Sequence, residues 1–181
     1  MAVDEDLSLV EQSLRGDQIA FGRLVDKYQR LVFNLALNMS KNHDDAADIT
    51  QSVFLKVFEK LQSFDPKYKF FSWLYRIAVN ESLNFVQKRG RTEELEEETV
   101  SDLPSPDGVM ESGDITQGVQ DALLELDLNY RVVLILKHFQ ELSYEEISQV
   151  LDIPEKLVKS RLFTARTMLR TVCKQRGIAQ G

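Results

Sequence analysis

Between Phe64 and Arg91 the chain reads FDPKYKFFSWLYRIAVNESLNFVQKRGR, and no other stretch interleaves aromatic and cationic side chains so densely. Six aromatics (Phe64, Tyr68, Phe70, Phe71, Trp73 and Tyr75) crowd its first twelve residues. Lys67, Lys69, Arg76, Lys88, Arg89 and Arg91 against Asp65 and Glu81 leave a local charge of +4. Flat rings stack on unpaired bases and cations follow a phosphate backbone, so this composition suits a single nucleic-acid strand. Trp73, Tyr75 and Asn80 lie off the apolar stripe Phe71, Leu74, Ile77, Ala78 and Phe85, whereas Phe64 and Tyr68 precede the helix in a loop marked by Asp65-Pro66. A second basic tract, residues 154–181, holds seven cations against Glu155 alone. There the ammonium and hydroxyl groups of Lys156, Lys159, Ser160, Thr164 and Thr167 can bond base edges. An outward Phe163 can meet a thymine methyl, and Arg161 and Arg166 can hold phosphates.

Other chemistries find no residues to carry them. The sequence has no G-x-x-x-x-G-K phosphate loop, no H-E-x-x-H and no G-x-S-x-G, so the chain reads as a non-enzyme. Cys173 is the single cysteine and His43 and His138 are the two histidines; an internal disulfide is excluded, no zinc cluster can be assembled, and no cofactor is implied. No apolar run approaches the roughly 20 residues of a membrane span, and Met1–Asp6 lacks the halves of a signal peptide, so a cytosolic protein without membrane insertion is expected. The net charge of -7 argues against nucleic acid only when taken whole. Residues 93–115 hold nine acids and no Lys or Arg; without them 22 basic face 20 acidic residues. Local fields, not the sum, decide phosphate binding.

The elements that must position these residues are helical throughout. A short helix is expected at Asp6–Arg15, closed by Gly16, and Asp17 caps a long helix to about Lys41 with Leu24, Tyr28, Leu31, Leu35 and Met39 inward. A third helix begins at Asp44 or Asp45 and runs to about Ser63, with Ile49, Val53, Phe54, Val57, Phe58 and Leu61 on its apolar side. Asp48, Gln51, Ser52 and Glu59 share the other side with Leu55, a pattern that reads either as an ordinary solvated face or as a partner-binding patch. Gly90 and the acidic run, with Pro104, Pro106, Gly108 and Gly113, predict a flexible linker. Helices return at 116–125 and at 129–140, the latter with Val132, Val133, Ile135, Leu136 and Phe139 buried. Ser143 and Glu146 stand in a capping-box relation. Leu151-Asp152-Ile153-Pro154 makes a turn, with Pro154 pre-set for the first turn of a basic helix whose Val158, Leu162, Ala165 and Leu169 face inward. Short capped helix, tight turn and basic helix form a helix-turn-helix, whose second helix enters the major groove of duplex DNA.

Read together, DDAADITQSVFLKVFEKLQSF, FFSWLYRIAVNESLNF and LSYEEISQVLDIPEKLVKSRLFTAR resemble, in order and over nearly the whole length, the sigma factors of the extracytoplasmic-function group within the sigma-70 family. The resemblance implies a bacterial transcription initiation factor whose partners are core RNA polymerase (the largest subunit's clamp helices and the flap), promoter DNA and an anti-sigma factor. It implies that Asp48, Gln51, Ser52 and Leu55 dock on the clamp helices. Phe64, Lys69, Trp73, Tyr75, Asn80, Asn84, Lys88 and Arg89 would open the minus-ten element and hold its single strand. Lys156, Lys159, Ser160, Arg161, Phe163, Thr164 and Arg166 would read the minus-thirty-five duplex. The chain departs from the family pattern at Lys156-Leu157, where Gly-Thr is usual, and at Thr164, where arginine is frequent. The first departure loses a helix-start hydroxyl, the second a charge-assisted contact.

The expected fold is therefore all-α: a first domain at 1–91, a flexible acidic linker at 92–115 and a helix-turn-helix domain at 116–181. A helix-turn-helix repressor or activator that ignores polymerase explains 116–181 equally well, but gives no reason for the aromatic-basic stretch or the Leu55 face. A pure protein adaptor is partly contained in the first reading, because anti-sigma proteins cover the same faces. Glu81 sits close to the apolar arc of its helix and is expected to turn outward at the domain edge.

Overall fold

The computed structural model describes residues 5–96 and 114–178, in which eight α-helices and no strand occur. They are α1 (Glu5–Leu14), α2 (Gln18–Ser40), α3 (His43–Lys60), α4 (Phe70–Glu96), α5 (Asp114–Leu124), α6 (Leu128–Leu134), α7 (Tyr144–Leu151) and α8 (Glu155–Gln175). A 3-10 turn, Leu61–Ser63, follows α3, and α6 continues into a π-helical turn, Ile135–Phe139. Two compact units divide the chain, Met1–Ser82 with Gln149–Asp152 and Leu83–Ser148 with Ile153–Gly181. The all-helical, two-unit expectation holds. Of the acidic linker expected at 92–115, residues 97–113 lie outside the described residues. Gly90 does not end the preceding helix, because α4 continues through it to Glu96.

In the first unit, local chemistry sets the helix boundaries. Gly16, at φ +95°, makes the turn out of α1, a conformation open to glycine at no steric cost. The Asp17 carboxylate then accepts from the amides of Ile19 (2.9 Å) and Ala20 (3.2 Å), capping α2. The cap of α3 is Asn42, whose side chain accepts from Asp45 N at 3.0 Å, rather than an aspartate; Asp44 and Asp45 instead place their charge in the positive first turn. The core is built from Leu24, Tyr28, Val32, Leu35, Ala36 and Met39 of α2 with Ala46, Ile49, Val53 and Val57 of α3. Phe70, Leu74, Tyr75, Ala78 and Val79 of α4 are also buried. Each fully buried large apolar side chain contributes about 1.5–3 kcal/mol. Leu31 and Phe58, expected inside, are exposed; the inward face of α2 is centred one position on, at Val32. Asp6 is buried and accepts from the Tyr28 hydroxyl and from Lys27 Nζ (2.6 Å), which ties α1 to α2.

The second unit is organised around α6. Val132, Val133 and Leu134 of α6 and Ile135 and Leu136 of the turn that follows are buried in succession, so this segment is enclosed on every side rather than along a stripe, and Phe139 lies outside its core. Buried Arg131 donates from Nε to the carbonyl of Leu123 (3.0 Å) and from Nη2 to those of Leu124 (2.6 Å) and Leu126 (3.1 Å). Burial pulls its pKa below the usual guanidinium range, with Asp127 opposing. One side chain thereby ties down three carbonyls at the end of α5 and in the following turn. Beyond α6, Ser143 and Glu146 form the expected capping box: Ser143 N donates to Glu146 Oε2 at 2.9 Å and Glu146 N to Ser143 Oγ at 3.1 Å.

Candidate functional site

The helix-turn-helix is built from α7, a turn at Asp152–Pro154 and α8. Asp152 takes the left-handed conformation (φ 55°), which Asp and Asn tolerate better than most residues. Ser148 Oγ donates to Ile153 O at 2.6 Å and holds the turn closed. Pro154 is the N-cap of α8, and its carbonyl accepts from Leu157 N and Val158 N. Inward along α8 are Val158, Leu162, Ala165 and Cys173, whereas Leu169 is half-buried. Lys156, Lys159, Ser160, Phe163, Arg166 and Thr167 are exposed, with Arg161 and Thr164 half-buried at the edges of that face. Phe163 is 75% exposed, a large apolar ring presented among cations. Lys159 pairs with Glu155 at 2.7 Å, and its ammonium lies 5.4 Å from the centre of the Tyr144 ring; these contacts raise its pKa, Glu155 contributing most. Arg166 Nε donates to His138 Nε2 at 3.3 Å.

The aromatic-basic stretch divides into a buried and an exposed part. Phe64 is buried, its ring edge-on to Phe70 (5.6 Å) and tilted against Trp73 (5.4 Å). Tyr75 is 1% exposed, its ring tilted against Phe71 at 4.4 Å, and burial raises its phenol pKa well above the ordinary value of 10. Neither ring faces solvent, so the sequence-based placement of Tyr75 off the apolar face is corrected. The buried side of α4 is Phe70, Leu74, Tyr75, Ala78, Val79 and Ser82, with Phe71, Ile77 and Phe85 half-buried. What remains open is half-buried Trp73, braced by Phe64 and Phe70, together with exposed Lys69, Asn80, Asn84, Lys88 and Arg89. Tyr68, 62% exposed in the loop before α4, joins this set; its position outside the helix was the available signal.

On α3, Asp48, Gln51 and Leu55 are exposed. Gln51 and Leu55 line a groove of about 480 Å³ between α2 and α3, with Phe21, Val25, Phe33, Phe54 and Phe58. Leu55 is 59% and Phe58 61% exposed, and the Phe58 ring meets Phe21 edge-on at 5.1 Å. The size and apolar lining suit an amphipathic helix laid into it. Ser52 stands apart from Leu55: its hydroxyl donates to Glu81 Oε2 at 2.7 Å, and Lys56 forms an ion pair with the same carboxylate. Glu81 is thus a bridge from α4 to α3. The sequence reading missed Phe58 as a surface residue because its spacing matches the apolar stripe of α3.

Sigma-70 region 2 matches residues 24–92 and Sigma-70, region 4 matches residues 116–169. The RNA polymerase sigma-H factor of Pseudomonas aeruginosa is 34% identical over 175 residues, covering 90% of this chain and 91% of the relative. The ECF RNA polymerase sigma factor SigW of Bacillus subtilis is 34% identical over 173 residues, covering 89% and 92%. Among solved structures, CnrH in complex with the cytosolic domain of CnrY superposes with a TM-score of 0.72 at 26% identity, covering 95% of this chain and 99% of that one. RpoE of Bartonella quintana, in complex with the anti-sigma factor NepR, gives 0.69 at 25% identity, covering 85% and 96%.

Proposed function

The chain belongs to the extracytoplasmic-function sigma factors, which bind core RNA polymerase and direct it to promoters, and from that membership we propose how its surfaces share the work of initiation. Its place of action is the bacterial cytoplasm, and it performs no reaction of its own; the chemistry is the polymerase's. The outward face of α8 reads the minus-thirty-five duplex, Lys156, Lys159, Ser160, Phe163 and Thr164 toward base edges and Arg161 and Arg166 toward phosphates. With threonine at 164, that position offers a hydroxyl rather than the bidentate fork that selects guanine. The exposed part of the aromatic-basic stretch holds the melted minus-ten strand. Pulling a base from its stack costs a few kcal/mol, which Trp73, Tyr68, Asn80 and Asn84 return through stacking and hydrogen bonds, while Lys69, Lys88 and Arg89 follow the backbone. Phe64 contributes as the packed floor under Trp73, and Tyr75 contributes to the core against Phe71.

One observation carries the reading: a DNA-binding helix-turn-helix and an open apolar groove at Leu55 and Phe58 occur in the same chain. A repressor that works on duplex DNA alone has no use for the groove; a subunit that docks on polymerase does. Domain 1–91 docks through that groove and Asp48, and domain 116–181 follows the acidic stretch 92–115. An anti-sigma protein controls the factor by covering the docking groove. The test is transcription from a promoter library with purified core polymerase. Factor-dependent transcripts sharing one paired motif are expected; duplex binding without transcripts favours the repressor. Trp73→Ala or Asn80→Ala should impair strand opening more than closed-complex binding, and Lys159→Ala the reverse. Equal effects on both steps refute the division of labour.

A further inference from the structure

Arg166 projects from the DNA-facing helix α8, yet its Nε is already engaged, donating to Nε2 of His138 at 3.3 Å. An imidazole nitrogen that accepts a hydrogen bond carries no proton, so His138 is neutral here with its proton on Nδ1. Its surroundings favour that state: burial, with Arg166 and Lys137 nearby, holds the ring below its ordinary value of 6.5. His138 lies on the π-helical turn that ends α6, and such turns redirect a side chain from its regular helical bearing. Neighbouring Lys137 is anchored separately, donating to Leu142 O at 3.1 Å with its ammonium 4.8 Å from the Tyr144 ring centre. The bond to Nε uses one of the five guanidinium N–H groups and leaves the four on the two η nitrogens for another acceptor.

We propose that His138 is a positioning residue for promoter binding: as a neutral acceptor it fixes the Arg166 guanidinium so that both η nitrogens are presented to a backbone phosphate of the duplex. Arginine carries several rotatable bonds, and holding it before DNA arrives lowers the ordering cost that binding must offset. The proposal rests on the assignment of α8 as the duplex reader, and the experiment separates the two.

Affinity of the full chain for a duplex carrying its minus-thirty-five element is measured across a salt series for the wild type and for Arg166→Ala, His138→Ala, His138→Gln and the double alanine variant. Arg166→Ala should reduce the slope of log affinity against log salt by about 1, the loss of one phosphate contact. His138→Ala should weaken binding about 2- to 10-fold, the scale of immobilising one long side chain. The double variant should bind no worse than Arg166→Ala, and His138→Gln, whose amide oxygen can accept from Nε, should recover most of the affinity. If His138→Ala costs its full factor in the Arg166→Ala background, or changes nothing in the wild type, the positioning role is overturned. Lys159→Ala serves as the control for α8: if it and Arg166→Ala both leave duplex binding intact, the assignment of that helix has failed and the proposal with it.

Discussion

Replacing Arg131 by methionine should destabilise the second unit severely while leaving the first intact. The guanidinium donates to three carbonyls at 3.0, 2.6 and 3.1 Å, and these are unequal. Leu123 O also accepts from Leu126 N at 3.2 Å and keeps that partner when the arginine is removed. Leu124 is exposed, so water can reach its carbonyl, but Leu126 is buried and its carbonyl is stranded. One stranded buried acceptor costs about 1–3 kcal/mol, and the lost charge-assisted bonds add to it, against the regained cost of desolvating the cation. A net loss of about 3 kcal/mol follows, against a total of about 5–14 kcal/mol for a unit of this size at about 0.05–0.15 kcal/mol per residue. The midpoint of the unit's thermal transition should fall by about 12–24 °C, since each kcal/mol moves a small domain by about 4–8 °C. Circular dichroism with amide hydrogen exchange would assign the early transition to residues of α5–α8. A fall of less than about 4 °C would refute the reasoning, because it would mean that those carbonyls do not depend on Arg131.

Leu55→Asp should weaken binding to core polymerase at least about 10-fold in a fluorescence titration, yet shift the unfolding midpoint hardly at all, since exposed substitutions stay within about 0.5 kcal/mol. Glu81→Ala should cost the first unit about 1–2 kcal/mol in a urea titration, less than a fully buried ion pair because the Lys56 side chain is 41% exposed. His138 gives a pH signature of known sign. Its folded pKa is below 6.5, so the unfolded chain binds the proton more readily, and stability declines as pH falls through 6.5 toward the folded value. In His138→Gln this slope between neutral and mildly acidic pH should flatten; an unchanged slope would show that another group causes it.

Features decided within a few residues were legible before the structure. The Ser143–Glu146 capping box, the Asp17 cap and the inward arc Val158–Leu162–Ala165 depend on neighbours along one helix. What depended on distant partners was not. The ring of Tyr75 has a polar tip and could be drawn either inward or outward; its burial is set by packing that the spacing of one helix cannot show. Glu81 looked misplaced because Ser52 and Lys56, 29 and 25 residues earlier, are brought to it only by the approach of α3 to α4. Phe58 fits the apolar period of α3 and is nevertheless exposed at the groove, where periodicity and partner binding give the same signal. Arg131 carried no local mark of its role either, since nothing in the sequence says where α5 presents its last carbonyls.

The π-helical turn at Ile135–Phe139 acts as a phase shift in the chain. Gln140 N bonds to Ile135 O, five residues back, where an α-helix would bond four back, so the turn accommodates one residue beyond α-helical count. The wide turn absorbs that extra residue; closing it to α-helical geometry with no residue removed would rotate everything after it by about a quarter-turn or more, at about 100° per residue. Such a closure would carry Leu142 and the start of α7 away from their seats without altering any residue proposed to contact DNA. A substitution that forced the turn to close should therefore be offset by removing one residue within it, which makes the residue count of the α6–α7 junction, as much as its composition, a heritable constraint on promoter recognition.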